Sequence, residues 1–200
     1  MAVNINVILL TIVVGLASAV FALLFIIAMN CIERSCKRLG IAAPIASGIA
    51  LAVLVSFFPE ARGFGYETIN SVISNTTALN TLQLFALALV KMIATALTVR
   101  GGGSGGVFLP TIFMGIVFGA GVAKLLNSLG VGACHELVIA LATSSLLAAT
   151  SKTLLASVAL TVEMFGFVNV IPSLPASIIA YIATLKWSLI KGQLMSRDKQ

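Results

Sequence analysis

The sequence predicts an all-α polytopic membrane protein, a single membrane domain over residues 1–200, with broken and re-entrant helices. Three observations carry this. The chain is 60% hydrophobic and only 9% charged, against roughly 25% charged in soluble domains, so polar groups cannot cover its surface. Met1 to Ile32 contains no charged residue, a stretch longer than the roughly 20 residues a spanning helix needs. Several later apolar runs are too short to cross a bilayer or are interrupted. Equal spans would not give this pattern; broken helices around a cavity do.

Asn4 to Leu39 reads as one long, tilted helix whose wet end carries Arg34, Lys37 and Arg38, with Gly40 as its stop. A cleaved signal peptide is the competing reading, and no basic region precedes the apolar run. Ala43 to Phe58 is a second apolar run, short for a span and ended by Pro59. Pro59 to Tyr66 is a loop of turn residues, Glu67 to Ser74 a short helix at the interface, and Asn75 to Leu79 a connector. Asn80 and Gln83 form a capping box that opens a helix to Val99. Lys91 lies inside that helix, where an ionisable group must face protein or water. It either lends positive potential to an anion path or is a structural lysine bonded to carbonyls.

Val107 to Leu126 is the next helix, with Gly115-x-x-x-Gly119 allowing close packing. A loop over Asn127 to Ala133 follows. His135 or Glu136 opens an apolar run to Ala149, and Thr150-Ser151 breaks it and caps a short helix from Lys152 to Met164. Gly166 to Asn169 is a further break, and Val170 to Leu189 the last long helix, with Pro172 and Pro175 near its start.

The chain is organised around Arg100-Gly-Gly-Gly-Ser-Gly-Gly-Val-Phe-Leu-Pro110. This many glycines cannot hold a helix. The segment reads as unwound backbone leading into the first turn of a helix, with Pro110 early in it, where a missing N–H is tolerated. That turn leaves backbone N–H groups free and carries a partial positive charge. Discontinuous helices aimed at an anion near the midplane are a transporter design. The candidate is a small-anion site built from the amides of Val107 and Phe108, with Gly105 and Gly106 giving close approach. A ligand-free hinge is the other reading of the same glycines. Gly101-x-Gly103-x-x-Gly106 also fits the dinucleotide fingerprint literally, but no βαβ unit surrounds it and the next acid is Glu136. No Lys-Ser/Thr follows the glycines, so a phosphate-binding Walker loop fails too.

The net charge of +6 does not indicate nucleic acid here, because the cations cluster at Arg34–Arg38 and at Lys186, Lys191, Arg197 and Lys199. The positive-inside tendency puts both clusters, and hence the C-terminus, in the cytoplasm. The three cysteines, Cys31, Cys36 and Cys134, have no metal spacing, and His135 beside Cys134 reads as a cap or interface residue. Glu136 and Glu163 have no catalytic partner at useful spacing and no Ser–His–Asp set is visible, so an enzyme is not expected. Glu163 reads as structural.

Gly105-Gly-Val-Phe-Leu-Pro110 resembles the GGxFxP motif of the CLC chloride channels and chloride/proton antiporters. Pro59-Glu60, Gly63, Gly65 and Tyr66 resemble the family's PE…GxGY segment. Lys91 to Thr98 resembles its K-x-x-A-T-x-x-T lead-in, Gly115 the glycine after the motif, and Glu163-Met164 the pair closing a later short helix. The order and spacing fit over essentially the whole chain. The resemblance implies the second of two inverted-repeat halves, with chloride held by the backbone N–H groups of Val107 and Phe108. It also implies subunits that pair into dimers. The gating glutamate of a G-x-E-x-P segment, the serine of a GSGxP segment and the proton-path glutamate belong to the family's first half and are not found here. Ile190 stands where the pore tyrosine falls, Arg100 where glycine is usual, and Leu154 where proline follows the basic position at Lys152.

The implied function is transmembrane chloride transport, with chloride as substrate ion and no cofactor. The implied partners are membrane lipid and a first-half CLC polypeptide, or a homo-oligomer in which two copies form the pore. The localisation implied is the plasma membrane. A non-transporting remnant or assembly subunit is the alternative from another class.

Overall fold

The computed structural model describes residues 5–167 and 170–187. They form eight α-helices and two 3-10 turns, and no strand occurs among them. The first helix, α1, runs Ile5–Leu39. Its 35 residues measure about 52 Å at 1.5 Å per residue, well beyond the roughly 30 Å hydrocarbon core and long enough to span it tilted. Gly40 adopts φ +56° and opens a 3-10 turn to Ala42, from which α2 runs Ala43–Phe57. The chain folds back here: Cys36 Sγ lies 3.5 Å from Ser47 Oγ, whereas an unbroken helix would separate these residues by about 16 Å.

A 3-10 turn at Pro59–Ala61 leads to α3, Tyr66–Ile73. Helix α4, Thr81–Arg100, starts at the expected capping box, with Gln83 N donating to Asn80 Oδ1 and Asn80 N to Gln83 Oε1, both at 2.9 Å. Helix α5 runs Phe108–Ser128 with Val107 as N-cap. It continues two residues past the expected end at Leu126, so the loop is shorter than Asn127 to Ala133. Helix α6 is His135–Ser151, α7 Leu154–Phe165 and α8 Val170–Ala183.

The break before α7 is not where the sequence placed it. Thr150 and Ser151 remain helical, and Thr150 Oγ1 donates back to Leu146 O at 2.7 Å. The chain turns at Lys152, a non-glycine residue at φ +57°, and Thr153 precedes Leu154 without a side-chain cap bond. What holds Lys152 there is its ammonium, which donates to Thr184 O at 2.6 Å and Thr184 Oγ1 at 2.7 Å beyond the end of α8. The last helix gives way to turns at Thr184. Asn4, Asn169, the expected end at Leu189, Ile190 and the tail cations Lys191, Arg197 and Lys199 lie outside the described residues.

Helix α6 is the centre. Every residue from Val138 to Thr150 is buried, and α5, α8, α1 and α7 pack around it. Helix–helix approach in lipid relies on small residues. A Cβ on Gly115 would lie 2.7 Å from Thr143 Cα, and one on Gly119 2.8 Å from Ile139 Cα, so α5 and α6 touch backbone to backbone. Gly15 meets Ala176 O of α8 in the same way, at 2.9 Å. Phe118 of α5 stacks on Phe21 of α1 at 4.7 Å between centroids and tilts against Phe85 of α4 at 5.7 Å. Among the described residues, three helical stretches, α1 running on into α2, then α4, then α5, are long and apolar enough to cross a membrane by length and composition.

Candidate functional site

The glycine segment unwinds between the C-terminus of α4 and the N-terminus of α5. Arg100, the last residue of α4, pairs with Glu33 of α1 at 3.2 Å, and Glu33 also meets Lys37 at 2.8 Å. This anchors the near end of the break to the wet end of α1. Gly101 N donates to Leu97 O and Gly103 N to Thr98 O, both at 2.9 Å. A Cβ on Gly101 would sit 2.4 Å from Ser47 Oγ, so α2 leans directly on the segment.

Beyond Gly103 the pattern changes. From Gly105 to Leu109 no backbone N–H donates to a backbone carbonyl among the described residues. The first amide of α5 with an acceptor is that of Thr111, 3.0 Å from Val107 O. This is the unsatisfied first turn that helix geometry requires, and its dipole favours negative charge. The turn opens on a cavity of about 800 Å³. Gly105, Gly106 and Phe108 line it from one side, Leu51 and Val55 of α2 from another, and Ala61 to Phe64 close a third. Gly106 has nothing within 4 Å of where a Cβ would stand.

The sequence-predicted residues thus come together in part. Gly105, Gly106, Phe108 and Lys91 all line the cavity. Val107 is half-buried with its side chain packed on the core, and its carbonyl accepts from Thr111 N and Oγ1. Lys91 is 4% exposed. Its ammonium donates to Ala61 O at 2.8 Å and Gly63 O at 2.5 Å and lies 4.7 Å from the Phe113 ring centroid. That geometry is a clip across the loop between α2 and α3. Thr95 and Thr98 also line the cavity, with hydroxyls turned back onto Lys91 O and Ala94 O at 2.7 and 2.8 Å.

Residues that the sequence did not single out are Arg62, Phe64 and the inner face of α2. Their only signal was a lone cation in a turn-rich loop; their convergence on the glycine segment is tertiary. His135 contacts Val72 O through Nε2 at 2.9 Å, tying the start of α6 to α3. Glu163 lies exposed on α7.

A sequence model of the voltage gated chloride channel family matches residues 1–185. The chain is 30% identical over 167 residues to the voltage-gated ClC-type chloride channel ClcB of Escherichia coli O81 (strain ED1a), covering 80% of this chain and 39% of that protein. It is 29% identical over 147 residues to the uncharacterized protein MJ0305 of Methanocaldococcus jannaschii, covering 74% of this chain and 35% of that one. Its fold is similar to the crystal structure of a CLC-type fluoride/proton antiporter, with TM-score 0.81 and 25% identity, covering 94% of this chain and 47% of that one. The chain therefore spans less than half the length of these relatives. With the family match running over most of its residues, this chain belongs to the voltage gated chloride channel (CLC) family.

Proposed function

We propose that the chain is the second half of an anion-conducting unit, in which the amides of Val107 and Phe108 hold a dehydrated chloride at the start of α5. The observation that carries this is the unpaired first turn of α5 facing a cavity with two glycines beside it. Backbone donors interact with an anion far more strongly once water is excluded than the same donors do in water. A first half, carried on the same polypeptide or on another, covers the open side and supplies the rest of the path. The unit works in the plasma membrane with its Arg34–Arg38 end and C-terminus in the cytoplasm, and two such units pair. Chloride is the cargo and no cofactor takes part.

The test is chloride efflux from liposomes holding this chain together with a CLC first half. Efflux is expected, and Gly106→Val should lower it at least about tenfold, because a branched side chain there fills only the anion's approach. Absence of efflux with any first-half partner would favour the non-transporting assembly role. Efflux indifferent to Gly106→Val would remove the site from this junction.

A further inference from the structure

We infer that Arg62 draws the anion into this cavity and that Lys91 is its positioning residue, an inference that rests on the anion site proposed above. Lys91 and Arg62 are the charged side chains that line the cavity. An ammonium has three donors. Two of those on Lys91 go to Ala61 O and Gly63 O, and the group sits over the Phe113 ring. Its charge is committed to the protein.

Arg62 differs. It is exposed, and its guanidinium forms no hydrogen bond or ion pair with the described residues. Its backbone is nonetheless fixed. Its N–H donates to Pro59 O at 3.1 Å, and the carbonyls of the residues on either side of it are the two held by Lys91. One buried cation thus holds the loop so that a second, free cation stands at the cavity wall. Guanidinium suits the task, being permanently charged, weakly hydrated and rich in donors. An anion leaving water for a cavity walled by Leu51, Val55, Phe64 and Phe108 gains from a positive charge at its rim. Glu60 and Glu67 line an adjoining cleft together with Arg62, and neither carboxylate pairs with it. Their opposing charge makes the pull local and sensitive to salt.

The experiment compares Arg62→Gln and Arg62→Lys with the parent in the assembled two-half protein, reading bromide binding by calorimetry and chloride efflux against concentration. Arg62→Gln should weaken bromide binding and raise half-saturating chloride by about three- to tenfold, leaving the plateau rate within about twofold. Arg62→Lys should restore most of the loss, and added impermeant salt should shrink the difference. If Arg62→Gln binds and transports like the parent, the inference is overturned while transport stands. Bromide binding that depends on Arg62 without any efflux upholds the inference and overturns transport. A parent that binds no bromide overturns both.

Discussion

The ammonium of Lys91 donates to carbonyls 30 and 28 residues earlier in the chain. Removing it by Lys91→Met leaves Ala61 O and Gly63 O without that donor, at a cost of roughly 2–4 kcal/mol. Chemical or thermal unfolding in detergent measures this, and an unchanged midpoint would show that the clip contributes nothing. Cleavage in the loop over residues 59–65 should also rise in that variant, because the loop loses its tether. Part of this was legible beforehand. That Lys91 must face protein or water follows from its place in an apolar run; which carbonyls it meets depends on how α2 returns from Gly40, and no local pattern encodes that. The amides of Val107 and Phe108 were legible for the opposite reason. A glycine run before a proline-bearing helix start fixes where the unpaired donors fall, whatever surrounds them.

At the scale of elements, the decisive contact is α5 on α6. Gly115→Ala pushes a methyl towards Thr143 Cα, and Gly119→Ala towards Ile139 Cα. Backbone cannot step aside as a flexible side chain can, so each should cost roughly 1–3 kcal/mol. Gly106→Ala, which meets nothing within 4 Å, should stay within about 0.5 kcal/mol. Unfolding midpoints of the three variants check the contrast, and equal losses would contradict it. The capping box at Asn80 and Gln83 was readable because both halves of its hydrogen bonding lie within four residues. The break at Lys152 was not. A threonine and a serine mimic a cap in sequence, but both stay helical, and the left-handed turn one residue later is stabilised by Thr184, just past the end of α8.

For the whole molecule, the clustering of charge at one end has a direct consequence. Glu33 joins Arg100 to Lys37 beside Arg34 and Arg38, so the C-terminus of α4 lies at the same wet end as that of α1. The proposed orientation, with this end in the cytoplasm, rests on the positive-inside tendency. Cys36 is a poor reporter, buried against Ser47, whereas Arg38 is exposed. In Arg38→Cys, an impermeant thiol reagent should label the new cysteine from the cytoplasmic face only. Equal labelling from both faces would support two copies in opposite orientations. An all-α membrane fold with broken helices was legible from composition and interruption, and the CLC-like half only from the resemblance of its motifs. The cavity was not, because it is bounded by α2, the α2–α3 loop, α4 and α5 together, and only their assembly gives it walls.

The Lys91 clip also sets a schedule. During synthesis the loop that bears Ala61 and Gly63 leaves the ribosome well before its lysine does. Until that lysine is delivered, Ala61 O and Gly63 O have only water or lipid headgroups to meet. The turn after α2 therefore takes its final shape only once α4 has packed against it.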